Sequence, residues 1–213
     1  PGQQDGRVLQ LTLAMDAEGA AAGTASDEHR GFEAASLKDA LERLDQNQRK
    51  QAVESMLAHG LRGVSLESLS AAHESEVGGT AVLSYALRAQ LARRDGAQLF
   101  VPSSLVPSRL SRRWVQMAER QTALLIDSPE EVAQRATIAL PKGTHLRAGP
   151  PAVDLTTPFG AYRWSAREEG GKLVVDEALS VPQQRVQPAQ YAAFAAFARA
   201  VDQAQSQELL VAP

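Results

Sequence analysis

Alternation of apolar and polar residues is the feature that most limits what this chain can fold into. In residues 80–91, six apolar side chains share one face at period two: Ala81, Leu83, Tyr85, Leu87, Ala89 and Leu91. This period is typical of a strand with one buried face, because successive side chains of a strand point to opposite sides of the sheet. A chain built on this pattern folds around β-sheet.

The same pattern recurs along most of the chain. It predicts further strands over residues 8–15, 20–26, 64–69, 98–101, 122–126, 130–140, 144–147, 152–155, 160–166, 172–179 and 209–211. Glycine and proline predict turns at residues 16–19, 77–79, 93–96, 141–143 and 168–171. Residues 102–107 lie between two prolines, so a loop is expected there.

Three segments have a helical period instead. Residues 31–62 predict a pair of helices, the first with Phe32 and Leu41 on its buried stripe and the second with Val53 on its own. Asp45 is placed to cap the second helix. A last helix is predicted near residues 188–204, with Pro188 in its first turn.

These elements predict an α+β fold that is mostly antiparallel β, with a β-sandwich-like second half. The helical pair is expected to pack on the first hairpin, and the last helix on a later sheet edge. With 213 residues, two organisations fit. Residues 1–118 and 119–213 form two subdomains, or the whole chain forms one continuous domain.

Composition excludes several classes of function. The chain has no cysteine, which rules out disulfides, thiolate metal sites and cysteine nucleophiles within it. Its net charge is −3, so clustered basic charge for nucleic acid is not expected. The sequence has no apolar run long enough to span a membrane, and no signal peptide is expected at its start.

Motifs for catalysis, metals and cofactors are weak. Asp27, Glu28 and His29 are adjacent, but neighbouring side chains of a strand diverge, so a solvated loop is the favoured interpretation over a metal site. Ser103 and Ser104 lie in the proline-bounded loop, and no nucleophile elbow is present. We therefore assign no catalytic residue, no metal site and no cofactor, and keep a cysteine-free hydrolase as an unfavoured alternative.

Two groups of residues are candidate ligand contacts. Arginine beside an aromatic ring can bind an anion or stack on a ligand, and Tyr162 with Trp164 on one strand face could form a carbohydrate platform. The candidates are Arg109, Arg112, Arg113, Trp114, Tyr162 and Trp164. For each group a structural role competes: a solvated or inter-domain surface for the arginines, and core under a helix for the aromatic pair.

The order of elements resembles the C-terminal region of bacterial transglutaminase-like multidomain proteins. The similarity covers nearly the whole chain. Its most recognisable parts are the segments Arg120-Gln121-Thr122, Ile138-Ala139-Leu140-Pro141-Lys142-Gly143, Gly160-Ala161-Tyr162 and Pro188-x-x-Tyr191-x-x-Phe194. These segments mark a fold and carry no catalytic motif.

The resemblance implies a β-rich accessory region of unassigned function. In that family a papain-like core lies upstream and uses a Cys, a His and an Asp, so the absence of cysteine here implies a region outside that core. The implied partner is the catalytic domain of the same polypeptide, and the implied location is periplasmic or extracytoplasmic. The alternative kept beside it is a β-sandwich module that binds carbohydrate or cell-wall peptide.

Overall fold

The computed structural model describes residues 5–72 and 79–213, and within them the chain is mostly β. The turn expected at residues 77–79 lies largely outside this part of the chain, as does His73. The elements in chain order are β1 (Gly6–Met15), β2 (Ala20–Arg30), α1 (Gly31–Glu42), α2 (Gln46–Leu57), β3 (Arg62–Ala72), β4 (Ala81–Gln90), β5 (Arg93–Asp95), β6 (Gln98–Pro102), α3 (Leu110–Trp114), β7 (Leu124–Ile126), β8 (Glu130–Ala139), β9 (His145–Ala148), β10 (Val153–Thr157), β11 (Gly160–Glu169), β12 (Lys172–Val181), β13 (Gln184–Val186), α4 (Tyr191–Gln205) and β14 (Glu208–Ala212).

An eight-stranded sheet forms the centre of the fold, in the order β10-β11-β12-β8-β1-β2-β4-β3. Its pairs are antiparallel except that of β1 with β8, which is parallel. The β1–β8 pair joins the two stretches of chain on either side of residue 118, so strands from both predicted subdomains lie in one sheet. The predicted β-sandwich of the second half is not confirmed, because β8 and β10–β12 belong to this shared sheet.

Smaller sheets flank the main one. Strands β5, β6, β14 and β9 form a four-stranded sheet in that order, and β13 pairs with β7. The strand predicted at residues 98–101 is present as β6, but the turn predicted at residues 93–96 is wrong: Arg93–Asp95 forms β5 and pairs with β6, whereas β4 pairs with β2 and β3. The α+β class with mostly antiparallel strands is therefore correct.

One face of the main sheet carries the core. All six apolar positions predicted for residues 80–91 are buried. The helix α4 presents Phe194, Phe197 and Val201 to the same core, and the ring of Phe194 meets that of Phe159 edge-on at 5.7 Å between centroids. Because water covers the other side of an antiparallel sheet at little cost, polar and small side chains occupy the opposite face.

The two predicted helices are present but shorter than expected. Asp45 caps α2 by accepting hydrogen bonds from the backbone of Asn47 and Gln48, and the Gln48 side-chain oxygen accepts one from the Asp45 backbone. The prediction that Phe32 is buried is wrong: its side chain is 66% exposed. Phe32 lies in the first turn of α1, directly after the end of β2, where Asp5 accepts a hydrogen bond from the Phe32 backbone.

The hairpin of β11 and β12 follows from its turn residues. Gly170 and Gly171 form a two-residue loop with φ of 55° and 75°. Only glycine adopts this left-handed backbone freely, and two such residues in a row match the twist of the strands on either side. The turn fixes the register that places Trp164 opposite Glu177.

Candidate functional site

Charged side chains lie inside the core at one end of the main sheet. Arg7 on β1 pairs in register with His29 on β2, and Asp27 is two residues before His29, so all three point to the inner face. Glu33 on α1, four residues after His29, lies next to the His29 ring. We call Arg7, Asp27, His29 and Glu33 the buried ion cluster.

This cluster corrects the prediction of a solvated loop at residues 27–29. Asp27 is 0% exposed and His29 is 4% exposed, both within β2. The sequence contained a signal that was missed, because Asp27 and His29 continue the period-two face of Ala21 and Ala25. Adjacent Glu28 does point to the other face, as expected of a strand.

Arg7 and Asp27 make the closest contacts in the cluster. Arg7 Nε donates to Asp27 Oδ1 at 2.8 Å and Arg7 Nη2 donates to Oδ2 at 2.7 Å. A two-pronged bond of this kind is the strongest form of arginine–carboxylate contact. Burial acts to raise the pKa of Asp27, but the contacts with His29 and Arg7 outweigh it and hold the pKa below its usual range.

His29 lies between two carboxylates. Its Nε2 is 3.2 Å from Asp27 Oδ1 and its Nδ1 is 3.8 Å from Glu33 Oε2, although neither contact has the geometry of a good hydrogen bond. Burial acts to lower the pKa of His29, but the two carboxylates outweigh it, so the pKa is raised. The contact with His29 in turn lowers the pKa of Glu33, and it links α1 to the sheet.

The cluster has the charges of a catalytic site but lacks a nucleophile. Within residues 5–72 and 79–213, none of the contacts of His29, His59 or His145 is with a serine hydroxyl. The hydroxyl of Tyr85, which interacts electrostatically with Asp27 and Arg7, is buried without a hydrogen bond, and burial raises its pKa. The contacts of the buried ion cluster join α1 to strands β1 and β2.

A second buried polar network centres on Glu177 of β12. Its carboxylate accepts hydrogen bonds from Ser104 Oγ at 2.8 Å, from Gln134 Nε2 at 3.2 Å and from Gln205 Nε2. Burial raises the pKa of Glu177, and the hydrogen bonds from Gln205 and Ser104 offset only part of that effect. The network fastens the loop after β6 to the sheet and to the end of α4.

Two serines of the loop after β6 are buried. Ser103 is 0% exposed and Ser104 is 3% exposed. Ser103 Oγ donates to the carbonyl of Ala204, and the Ser103 carbonyl accepts from Trp164 Nε1, both at 2.8 Å. The hydroxyls therefore anchor a buried loop, and neither faces a histidine.

The predicted aromatic platform is not at the surface. Tyr162 is 0% exposed and Trp164 is 2% exposed, both on the inner face of β11. A sugar stacks on an exposed ring face, so these two rings cannot serve as such a platform in this conformation. Their burial removes the observation on which the carbohydrate-binding alternative depended.

The predicted arginine group lies on and just before α3. Arg113 pairs with Glu130 and lies over the Trp114 ring at 4.6 Å from its centroid. Arg109 Nη2 donates to the carbonyl of His59 at 2.6 Å. Arg112 is exposed and makes no ion pair with any residue that the structure describes.

A cavity of about 380 Å³ lies against this group. It is lined by His59, Pro107, Ser108, Arg109, Arg112 and Arg113. The structure thus brings the three arginines together with His59, which the sequence did not connect to them. Trp114 instead packs against the core, and the centroid of its ring is 6.1 Å from that of Phe194.

In residues 5–72 and 79–213, no three His, Asp or Glu side chains are grouped so that they could hold a metal ion. No helix in the same ranges has the length and hydropathy to cross a membrane.

The fold and site together define an α+β domain with a buried ionic interior and a group of arginines on and just before α3. Residues 97–211 match the family model described as "Domain of Unknown Function with solved-structure structure" (DUF3858). This match spans just over half of the chain, and the chain belongs to that family. No curated protein and no solved structure matches it.

Proposed function

We propose that this chain is a non-catalytic accessory region that packs against, and positions, the transglutaminase-like catalytic core of a larger polypeptide. The observation that carries the proposal is where the reactive groups are: Asp27, His29 and Glu177 are buried in contacts that hold elements together. The chain also lacks the cysteine on which the chemistry of that core depends. Membership in a family of unknown function is compatible with such a role.

The outer face of the main sheet is a surface suited to such packing. Gln10, Ala22, Ala133 and Ala178 are exposed along it, and a depression of about 610 Å³ borders Ala133, Ala178 and Arg163. Ala133 and Ala178 are directly opposite each other on β8 and β12. Small side chains allow close approach of another domain, whereas bulky charged ones would hinder it.

An association measurement tests the proposal. The purified chain is titrated with a separately expressed transglutaminase-like core in a calorimeter, and the activity of the joined polypeptide is compared with and without this region. We expect binding that Ala178→Glu weakens and that Arg185→Glu, at an exposed position of β13 away from that face, leaves unchanged. No association in trans, together with full activity after deletion, would contradict the proposal.

The location of the protein is part of the same proposal. The resemblance implies an extracytoplasmic, envelope-associated protein of bacteria, and the lack of cysteine is compatible with any redox compartment. Fractionation of cells that express the full polypeptide, with antibody detection of this region, tests the location. Recovery in the cytoplasmic fraction alone would contradict it while leaving the packing role open.

A further inference from the structure

Three cavities adjoin one another around His59, Pro107 and the loop after β6. The largest, about 670 Å³, lies between the end of α2, the end of β4 and the small sheet of β5, β6 and β14. The second, about 210 Å³, reaches toward Arg7 and Glu130, and the third is the 380 Å³ cavity beside α3. His59 and Pro107 line all three, so we treat them as one surface, the basic groove.

Besides Arg7 of the buried ion cluster, six arginines line the basic groove. They are Arg62, Arg93, Arg94, Arg109, Arg112 and Arg113. Carboxylates engage only three of them: Glu208 pairs with Arg93, Glu18 with Arg94 and Glu130 with Arg113. Arg62, Arg109 and Arg112 have no carboxylate partner among the described residues. In a chain of net charge −3, this is a local excess of positive charge.

The backbone holds the arginines of α3 in a defined place. Arg109 has φ 54° and ψ 47°, and it is the one residue other than glycine with positive φ in the part of the chain that the structure describes. Side chains disfavour this conformation. Two hydrogen bonds from the backbone of Leu110 and Ser111 to the carboxylate of Asp202 fix it, at 2.8 and 2.9 Å.

His59 adds a polar group at the junction of the cavities. Its Nδ1 is 3.2 Å from the carbonyl oxygen of Met56, so Nδ1 carries the hydrogen in that contact and Nε2 is left for another partner. The guanidinium of Arg109 is bonded to the His59 carbonyl. Helix α2 and helix α3 are thereby joined at the centre of the groove.

We propose that the basic groove binds an acidic peptide segment of a partner protein. The arginines are spread along adjoining cavities and do not converge on one point, which suits a chain of carboxylates better than a single small anion. Apolar side chains lie between them, including Met56, Phe100 and Val106, so the segment can also bury apolar residues. The inference does not depend on the transglutaminase-like assignment, since any partner can supply such a segment.

Fluorescence anisotropy with a labelled polyglutamate peptide tests the groove. The double variant Arg62→Ser/Arg112→Ser removes two unpaired, exposed arginines of the groove. The control Arg185→Ser/Arg199→Ser removes the same charge from two exposed arginines outside it. We expect the groove variant to bind about three- to tenfold more weakly, the range expected for two exposed ion pairs. The control should change binding by less than about twofold.

Two further measurements decide the nature of the ligand. Raising the salt concentration to about 0.5 M should abolish the difference between the variants, because exposed charges are then screened. An oligonucleotide of equal charge serves as the competing probe. The proposal is overturned if the peptide does not bind the wild-type chain, if both double variants weaken binding equally, or if only the oligonucleotide binds through Arg62 and Arg112.

Discussion

The ion pair of Arg7 and Asp27 offers the sharpest test of how this fold is held together. Replacing Asp27 with Asn keeps the shape of the side chain and removes its charge. The Arg7 guanidinium, 13% exposed, then loses a carboxylate that is fully buried and bonded to it at 2.7 Å. His29 loses one of its two flanking charges at the same time.

We expect Asp27→Asn to lower the free energy of unfolding by about 3–5 kcal/mol, the cost of leaving one member of a buried pair unmatched. Domains typically have about 5–15 kcal/mol in total, so the loss is a large fraction. Urea unfolding followed by the fluorescence of Trp114 and Trp164 measures it. A lower midpoint with an unchanged slope identifies a loss of stability without a change in compactness.

Two companion variants separate the pair from other effects. Arg7→Met/Asp27→Leu replaces both members of the pair with apolar groups, which often restores stability because neither charge is left buried without its partner. Asp154→Asn breaks an exposed pair with Arg163 and should change stability by less than about 0.5 kcal/mol. The reasoning is refuted if Asp27→Asn costs less than about 1 kcal/mol, or if the double variant is no more stable than the single one.

Three other variants follow from the structure. The raised pKa of His29 means that its charged form stabilises the fold below the unfolded pKa and that this contribution is lost as pH rises through the folded pKa. The difference in melting temperature between wild type and His29→Leu should therefore be largest below the ordinary histidine pKa of about 6.5 and should shrink as pH rises above it. Gly23→Ala adds a Cβ that overlaps the backbone oxygen of Thr12 on β1, so chemical denaturation should show a loss of about 1–3 kcal/mol; a loss under 0.5 kcal/mol would mean that the strands separate easily. Asp45→Ala removes the cap of α2 and should cost about 1 kcal/mol in the same assay, against no change for Gln51→Ala on the exposed side of that helix.

Local pattern was enough to predict most elements but not their arrangement. The alternation in residues 80–91 predicts correctly which side chains of β4 are buried. Gly170-Gly171 predicts the turn of the hairpin of β11 and β12. The parallel pairing of Leu11 with Ala136 joins residues far apart in the chain. Period two specifies which face of a strand is buried but not which strand lies beside it, so the shared sheet could not be predicted.

The candidate sites, too, could be predicted from the sequence only in part. The sequence identified Arg109, Arg112 and Arg113 as a group because they are close along the chain, but His59 and Arg62 join them only through tertiary structure. The buried ion cluster was missed for a related reason. A carboxylate inside a core needs either a cation or several hydrogen-bond donors around it, and the cation that pairs with Asp27 is on the neighbouring strand.

The separation of buried from exposed charge has a consequence for interpreting variants. Asp27 is fully enclosed and bonded to Arg7, so a change there alters stability and should leave peptide affinity of the folded fraction intact. Arg62 and Arg112 are exposed without a described partner, so their loss should alter affinity and leave stability within about 0.5 kcal/mol. If Asp27→Asn weakened peptide binding of fully folded protein, or if Arg62→Ser/Arg112→Ser lowered the unfolding midpoint, the interior network and the groove would be one functional unit, and the division between cohesion and recognition would not hold.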